Sequence, residues 1–170
     1  LLEGAPEDIG RLAGERTIDR RGAKKPPTGA FPILYDERIS AGLIGHLVSA
    51  VNGTAIARGA SWLRNALGEA VLPPGFDLRE DPHLLRQGNS RLFDAEGLPT
   101  APRLIVQDGI LKGWTLDLAT GRKLGMASTA SAMRGAGSPP APGVTNLELT
   151  PGRQTRDELI RDMGRGLVVT

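Results

Sequence analysis

The chain has 170 residues, of which 39% are hydrophobic and 24% charged, so a domain of ordinary composition is expected, able to bury about two-thirds of its unfolded surface without a staple. There is no Cys, which excludes disulfides, thiolate zinc ligands and thiol nucleophiles and makes a reducing, cytoplasmic setting the expectation. Lys and Arg number 21 against 19 Asp and Glu, so the pI of 9.4 expresses a net charge of only +2 rather than a field able to hold nucleic acid, and no direct nucleic-acid partner is expected.

Along the chain, Pro6 followed by Glu7 and Asp8 suits a helix start, because a first-turn Pro loses no needed N–H and carboxylates favour the positive end of the dipole. The spacing predicts a helix to about Arg21, interrupted by Gly10 and Gly14. Residues 22–30 read as a linker, and the basic cluster Arg20, Arg21, Lys24 and Lys25 runs into Pro26-Pro27 with no aromatic residue to stack on bases. A short strand is predicted over Phe31–Tyr35, with Pro32 near its start.

From Glu37 to Val51, Ile39, Leu43, Ile44, Leu47, Val48 and Val51 keep helical spacing over about half of the circumference, which predicts a largely buried helix. Gly42, Gly45 and Ser49 form a second face on which close approach of another segment is expected, with Gly45→Leu destabilising by overpacking. Asn52-Gly53 supplies a stop, and a short helix is predicted over Ser61–Leu67. The stretch Ile39–Ala57 is too polar for a membrane span. After the breaks at Pro73-Pro74-Gly75 and Glu80-Asp81-Pro82, Phe93–Gly97 reads as a turn.

Arg103–Gln107 and Ile110–Leu116 flank Asp108-Gly109, a pair suited to the type I′ turn with positive φ at both positions, so a β-hairpin is predicted. Residues 125–145, rich in Gly, Ala, Ser and Pro, read as a long loop. Asn146–Thr150 alternates as a strand. Thr155 and Glu158 match a capping box that opens a helix to about Met163, closed by Gly164. Leu167–Thr170 should be a strand. Helices and hairpins without a βαβ rhythm predict an α+β fold with a mainly antiparallel sheet.

Chemistry-bearing motifs are sparse. His46 and His83 are the only imidazoles, and neither has a companion at metal-binding spacing, so a packing role for His46 and a loop role for His83 are the ordinary readings. Asp94, Glu96 and Asp108 sit in predicted turns, where carboxylates commonly serve geometry. Ser128, Thr129 and Ser131 lack a GxSxG setting, and the Gly-rich pieces do not spell a phosphate loop. Leu1-Leu2-Glu3 begins without Met and without the pattern of a signal peptide, so the sequence reads as an internal fragment.

Several segments taken together resemble the C-terminal domain of the TldD/PmbA family, the so-called modulators of DNA gyrase. They are Gly42-Leu-Ile-Gly-His-Leu47, Phe93-Asp-Ala-Glu-Gly97, Asp108-Gly-Ile-Leu-Lys-Gly-Trp114, Arg122-Lys-Leu-Gly125, Pro142-Gly-Val-Thr-Asn-Leu147 and Gly166-Leu-Val-Val-Thr170. The resemblance spans roughly residues 32–170. It implies an N-terminal helix and Pro/Gly linker over 1–31, and over 32–170 a PmbA/TldE-like C-terminal domain truncated at its C-terminal end.

In the peptidase branch of this family the helix matching Glu37–Val51 carries HExxxH. With His46 set on the first His, Leu47 replaces the Glu and Val51 the second His, which removes both the base for metal-bound water and a ligand. The resemblance therefore implies a non-catalytic PmbA/TldE-like subunit, with no catalytic residues and no zinc or other cofactor of its own. Its partner would be a TldD-like peptidase subunit or a second copy in a dimer, acting on peptides or unfolded proteins. The competing readings are an active zinc peptidase with ligands outside the fragment and a nucleic-acid or gyrase-binding module. His46, Arg134, Thr145 and Asn146 are the candidate cleft or peptide contacts. Where the family carries Gly after Ser-Thr, this chain has Ala130 following Ser128-Thr129.

Overall fold

The computed structural model describes residues 5–170. The chain divides into two compact units, Leu1–Pro32 and Ile33–Thr170. In the first, helix α1 spans Pro6–Ile18, with Pro6 in its first turn and Glu7 and Asp8 beside the N-terminal N–H groups. It ends three residues before the predicted stop, and none of its residues is buried.

The second unit opens with strand β1 (Ile33–Tyr35) and helix α2 (Glu37–Ala50), whose cap is the Asp36 carboxylate accepting from the Arg38 N–H. Asn52 does more than stop α2. Its side-chain oxygen accepts from the Thr54 N–H and caps a second, five-residue helix, α3 (Gly53–Ala57), while the predicted helix at 61–67 is a series of turns. Strands β2 (Leu78–Glu80), β3 (Arg103–Gln107) and β4 (Ile110–Leu111) follow. After them come helix α4 (Leu118–Leu124), β5 (Ala132–Met133), β6 (Ala141–Pro142), β7 (Leu147–Leu149), helix α5 (Arg156–Met163) and β8 (Leu167–Val169).

The principal sheet has the order β4-β3-β2-β7 and is antiparallel throughout, as the absence of βαβ rhythm requires. β5 and β6 pair antiparallel inside the stretch read as a long loop, whereas β1 and β8 pair parallel from opposite ends of the unit. Asp108 and Gly109 both have positive φ, 48° and 77°, and join β3 to β4 as the Asp-Gly pair predicts. The Asp108 N–H donates to Asp77 Oδ1 at 2.7 Å and its carboxylate accepts from the Gly75 N–H at 2.6 Å, tying the turn to the preceding loop. At the other end, Thr155 and Glu158 form the reciprocal capping box that opens α5.

The core gathers Leu78, Ile105, Val106 and Leu111 from the sheet, Leu63 from the turns after α3, and Leu47, Ala50 and Val51 from the last turn and C-cap of α2. Only that end of α2 is buried. Ile39 and Leu43 are exposed, and a Cβ added at Gly42 or Gly45 would meet nothing within 4 Å. The expectation of a largely buried helix with a close-packed glycine face is therefore wrong, and with it the predicted overpacking by Gly45→Leu. The physical reason is that the 14-residue helix reaches the core only through its C-terminal turns, at Leu47, Ala50 and the C-cap Val51, so that its first half contributes no residue to the core cluster. Among the described residues, no helix is long and apolar enough to cross a membrane.

Candidate functional site

The last turn of α2 is the first place to look, because it is the segment set against HExxxH. His46 lies on the exposed side of the helix, contrary to the packing role read from sequence. Leu47 is 6% exposed and Val51 0%, and both belong to the core cluster. The junction is held by backbone hydrogen bonds from Thr115 N to Val51 O, 2.9 Å, and from Gly53 N to Thr115 O, 2.8 Å. Gly53 is required by this approach, since a Cβ there would stand 2.7 Å from the Thr115 carbonyl oxygen and the Thr120 hydroxyl.

A zinc ion needs convergent imidazole, carboxylate or thiolate ligands. The residues here do not fit one: the two positions that would complete the motif are aliphatic and sealed into the core, and among the described residues no group of three or more His, Cys, Asp or Glu is placed to hold a metal.

The second place is a small polar cleft lined by Glu80, Pro82, Thr100, Ala101, Arg103, Thr129, Ala130, Ser131 and Thr145. Its floor is an ion pair. Arg103 Nε donates to Glu80 Oε2 at 2.8 Å, while the other guanidinium nitrogens donate to the Trp114 carbonyl (2.9 Å) and to Thr115 Oγ1 (3.0 Å). Glu80, 3% exposed, accepts through Oε1 from the Thr145 N–H at 2.7 Å and from Thr145 Oγ1 at 3.0 Å. With these donors arranged around it, Glu80 joins β2, β3 and the entrance to β7 into one frame, as a buried charge requires.

The rim is equally committed. Thr129 Oγ1 receives the Leu116 N–H at 2.8 Å and stands 2.9 Å from Ser131 Oγ, and Ser128 Oγ donates to the Leu116 carbonyl, so these hydroxyls serve the backbone and none has a base beside it. Ala130 has φ of 52°, in the left-handed region. The geometry that a Gly would adopt freely is thus kept here with an Ala. Opposite, His83 Nε2 lies 3.1 Å from Thr100 Oγ1, which donates to the Arg91 carbonyl at 2.6 Å; the imidazole therefore carries its proton on Nε2 and donates it to Thr100.

Of the residues singled out in the sequence, the cleft contains Thr145 and neither His46 nor Arg134; Arg134 is exposed just beyond β5. Asn146 turns the other way, its amide donating to the Asp81 carbonyl and to Ser90 Oγ, both at 2.9 Å. Asp94, Glu96 and Asp108 do serve geometry. Asp94 accepts from the Glu96, Leu98 and Ala132 N–H groups, and Glu96 accepts from the Leu118 N–H at the start of α4. Glu80 and Arg103 were missed. Arg103 opens an apolar run, but Glu80 stands among Asp77, Arg79 and Asp81 with no pattern to mark it, and the two lie at a separation that no local pattern covers.

A family model described as the PmbA/TldA metallopeptidase C-terminal domain matches residues 28–170. The chain belongs to this family. It is 35% identical to Metalloprotease PmbA of Escherichia coli over 97% of its own length and 35% of the relative's, and 35% identical to the PmbA homolog of Haemophilus influenzae over 98% and 35%. The chain thus spans about a third of the length of the curated relatives it matches.

Among solved structures, a candidate modulator of DNA gyrase from Thermotoga maritima superposes with a TM-score of 0.84 at 30% identity, covering 99% of this chain and 38% of that one. A second, from Bacteroides thetaiotaomicron, gives 0.83 at 30% identity over 95% and 34%. TldE of Thermococcus kodakarensis, at 22% identity and a TM-score of 0.73 over 94% and 38%, shares the fold. The α+β architecture read from the sequence is the architecture of this family.

Proposed function

We propose that this chain is part of a non-catalytic subunit in a TldD/TldE-type metallopeptidase complex that processes or degrades peptides and unfolded proteins in the cytoplasm. The observation that carries the reading is the use made of positions 47 and 51. Where the peptidase motif needs a carboxylate and an imidazole at the metal, Leu47 and Val51 are packed among Leu63, Leu78 and Ile105. Recovering a zinc ligand there would mean placing a polar group in the core, at a cost of about 2–7 kcal/mol if it were left unpaired.

Relatives named both PmbA and TldD occur among the matches, which supports a TldD-like subunit as the partner. The polar cleft is then a rigid element of the subunit rather than a reaction centre, because its only buried carboxylate is fully engaged by Arg103 and Thr145.

Reconstitution tests the proposal. The chain is purified alone and with the TldD-like subunit of its own organism, and hydrolysis of an unfolded protein is followed. The expected result is no hydrolysis by the chain alone and co-elution with the peptidase. Hydrolysis by the chain alone that is abolished by a chelator, or failure to associate, would overturn it.

A further inference from the structure

The junction of α2 and α3 is the dipeptide Asn52-Gly53, whose covalent chemistry is independent of any metal or partner. A backbone nitrogen can attack the side-chain carbonyl of the asparagine before it, and the attack is least hindered when the attacking residue is glycine, which has no Cβ and the widest backbone freedom. The chain has four asparagines, Asn52, Asn65, Asn89 and Asn146, and only Asn52 precedes a glycine. In an open chain the Gly53 nitrogen, losing its proton to base, bonds to Asn52 Cγ; the Cγ–Nδ2 bond breaks and ammonia leaves. Water then opens the cyclic imide at either carbonyl, giving aspartate or isoaspartate, so that in sum a water is taken up and an ammonia released.

The fold withholds each participant in that reaction. The nucleophile is occupied: the Gly53 N–H donates to the Thr115 carbonyl at 2.8 Å, and Gly53 is buried. The electrophile is clamped at both ends, Asn52 Nδ2 donating to the Pro142 carbonyl at 2.9 Å and Oδ1 accepting from the Thr54 N–H at 2.9 Å. The backbone is set against closure as well, because the imide ring eclipses Cβ with the Gly53 nitrogen, and the extended ψ of 126° at Asn52 holds them apart.

The products fit the junction poorly. Aspartate sets a carboxylate oxygen against the Pro142 carbonyl, where the amide donated, and leaves that carbonyl without its donor. Isoaspartate routes the main chain through Cβ and Cγ, lengthening it immediately before a glycine at which even an added Cβ would stand 2.7 Å from the Thr115 oxygen and Thr120 Oγ1.

We propose that Asn52-Gly53 is a self-modification site kept shut by the native fold. Opening of the α2–α3 junction lets Gly53 attack Asn52; the isoaspartate product cannot close the junction again, and the aspartate product closes it less firmly. A reversible opening thereby becomes a permanent mark beside Val51, a residue of the core.

The full chain is held at mildly alkaline pH, folded in one arm and in urea in the other, and its asparagines are followed by peptide mapping that separates aspartate from isoaspartate. In urea Asn52 is expected to convert before Asn65, Asn89 and Asn146, and in the folded chain to convert at least tenfold more slowly than in urea, because the reaction then waits on local opening. After partial conversion in urea the denaturant is removed and refolded chains are separated from unfolded ones by size. Isoaspartate at position 52 should be confined to the chains that do not refold. Asn52→Ser keeps a capping oxygen and has no amide to lose, so it should refold to the same yield after a long incubation as after a brief one. A smaller difference between the folded and urea rates overturns the lock, and earlier conversion of another asparagine overturns the site. Isoaspartate spread evenly over both fractions, or a yield of Asn52→Ser that falls as the wild type's does, overturns the claim that the product is excluded from the fold.

Discussion

The hairpin turn at Asp108-Gly109 and the glycine face of α2 use the same residue under opposite conditions. At Gly109 a Cβ would collide with the carbonyl oxygens of Leu72 and Pro73, the latter at 2.7 Å, and φ is 77°. At Gly42 and Gly45 a Cβ would enter open space, on helical backbone that any residue adopts. A glycine in a turn is dictated by its own dihedral angles, which adjacent residues reveal. A glycine in a helix is dictated, if at all, by what lies across from it, which the helix sequence does not contain. The closed region is the sheet with its turn and cleft; the open region is the first half of α2.

If the closed region is held by distant partners, removing one of them should have the largest effect. Glu80→Ala leaves the Arg103 guanidinium and the Thr145 N–H without their acceptor in a buried frame, and a loss of about 3–5 kcal/mol in urea unfolding is expected. A loss below about 1 kcal/mol would show that water reaches this pair and that the region is not closed. Gly109→Val should follow at about 2–4 kcal/mol, since it adds both strain at positive φ and a clash with two carbonyls. An unchanged Tm would contradict the hairpin geometry.

The open region should respond with the reverse sign. Gly42→Ala and Gly45→Ala are each expected to raise stability by as much as about 1 kcal/mol, because helix propensity improves and nothing is displaced. Destabilisation by either would mean that this face is covered in the protein's working state.

The smallest effect concerns the end of the chain. The Thr155 backbone N–H and then its hydroxyl, both donating to Glu158, hold that carboxyl below the usual glutamate range. A lowered folded pKa contributes stability that is fully present above the unfolded value and is lost as the pH falls through the folded one. Amide exchange over 156–163 should therefore accelerate on acidification below the usual glutamate range, and Glu158→Gln should blunt that dependence. A pH-independent exchange profile, after correction for intrinsic rates, would remove the capping box from the account.

What was legible in the sequence follows the same division. Asp108-Gly109, the Thr155–Glu158 box and the alternating Leu147–Leu149 are local in cause, and each appears where its pattern placed it. The three-residue β2 had no such signal, because Leu78 becomes a strand residue only by pairing with Val106 and Leu149. The β5–β6 hairpin was hidden in a stretch rich in Gly and Pro, and its pairing is extended by the Gly143 N–H donating to the Ser131 carbonyl at 2.8 Å. Of the cleft, Thr145 was picked out by resemblance. Its acceptor Glu80 lies 65 residues away, beyond any periodicity or motif, and Arg103 was read only as the first residue of a strand.

The central claim is that α2 has exchanged a metal site for core packing at Leu47 and Val51. It is tested most directly by zinc content. The purified chain is incubated with excess zinc, desalted, and its metal measured by elemental analysis. The account predicts far less than one equivalent per chain, because the donors a zinc site needs are replaced by side chains sealed among Leu63, Leu78 and Ile105. About one tightly held zinc per chain would contradict it.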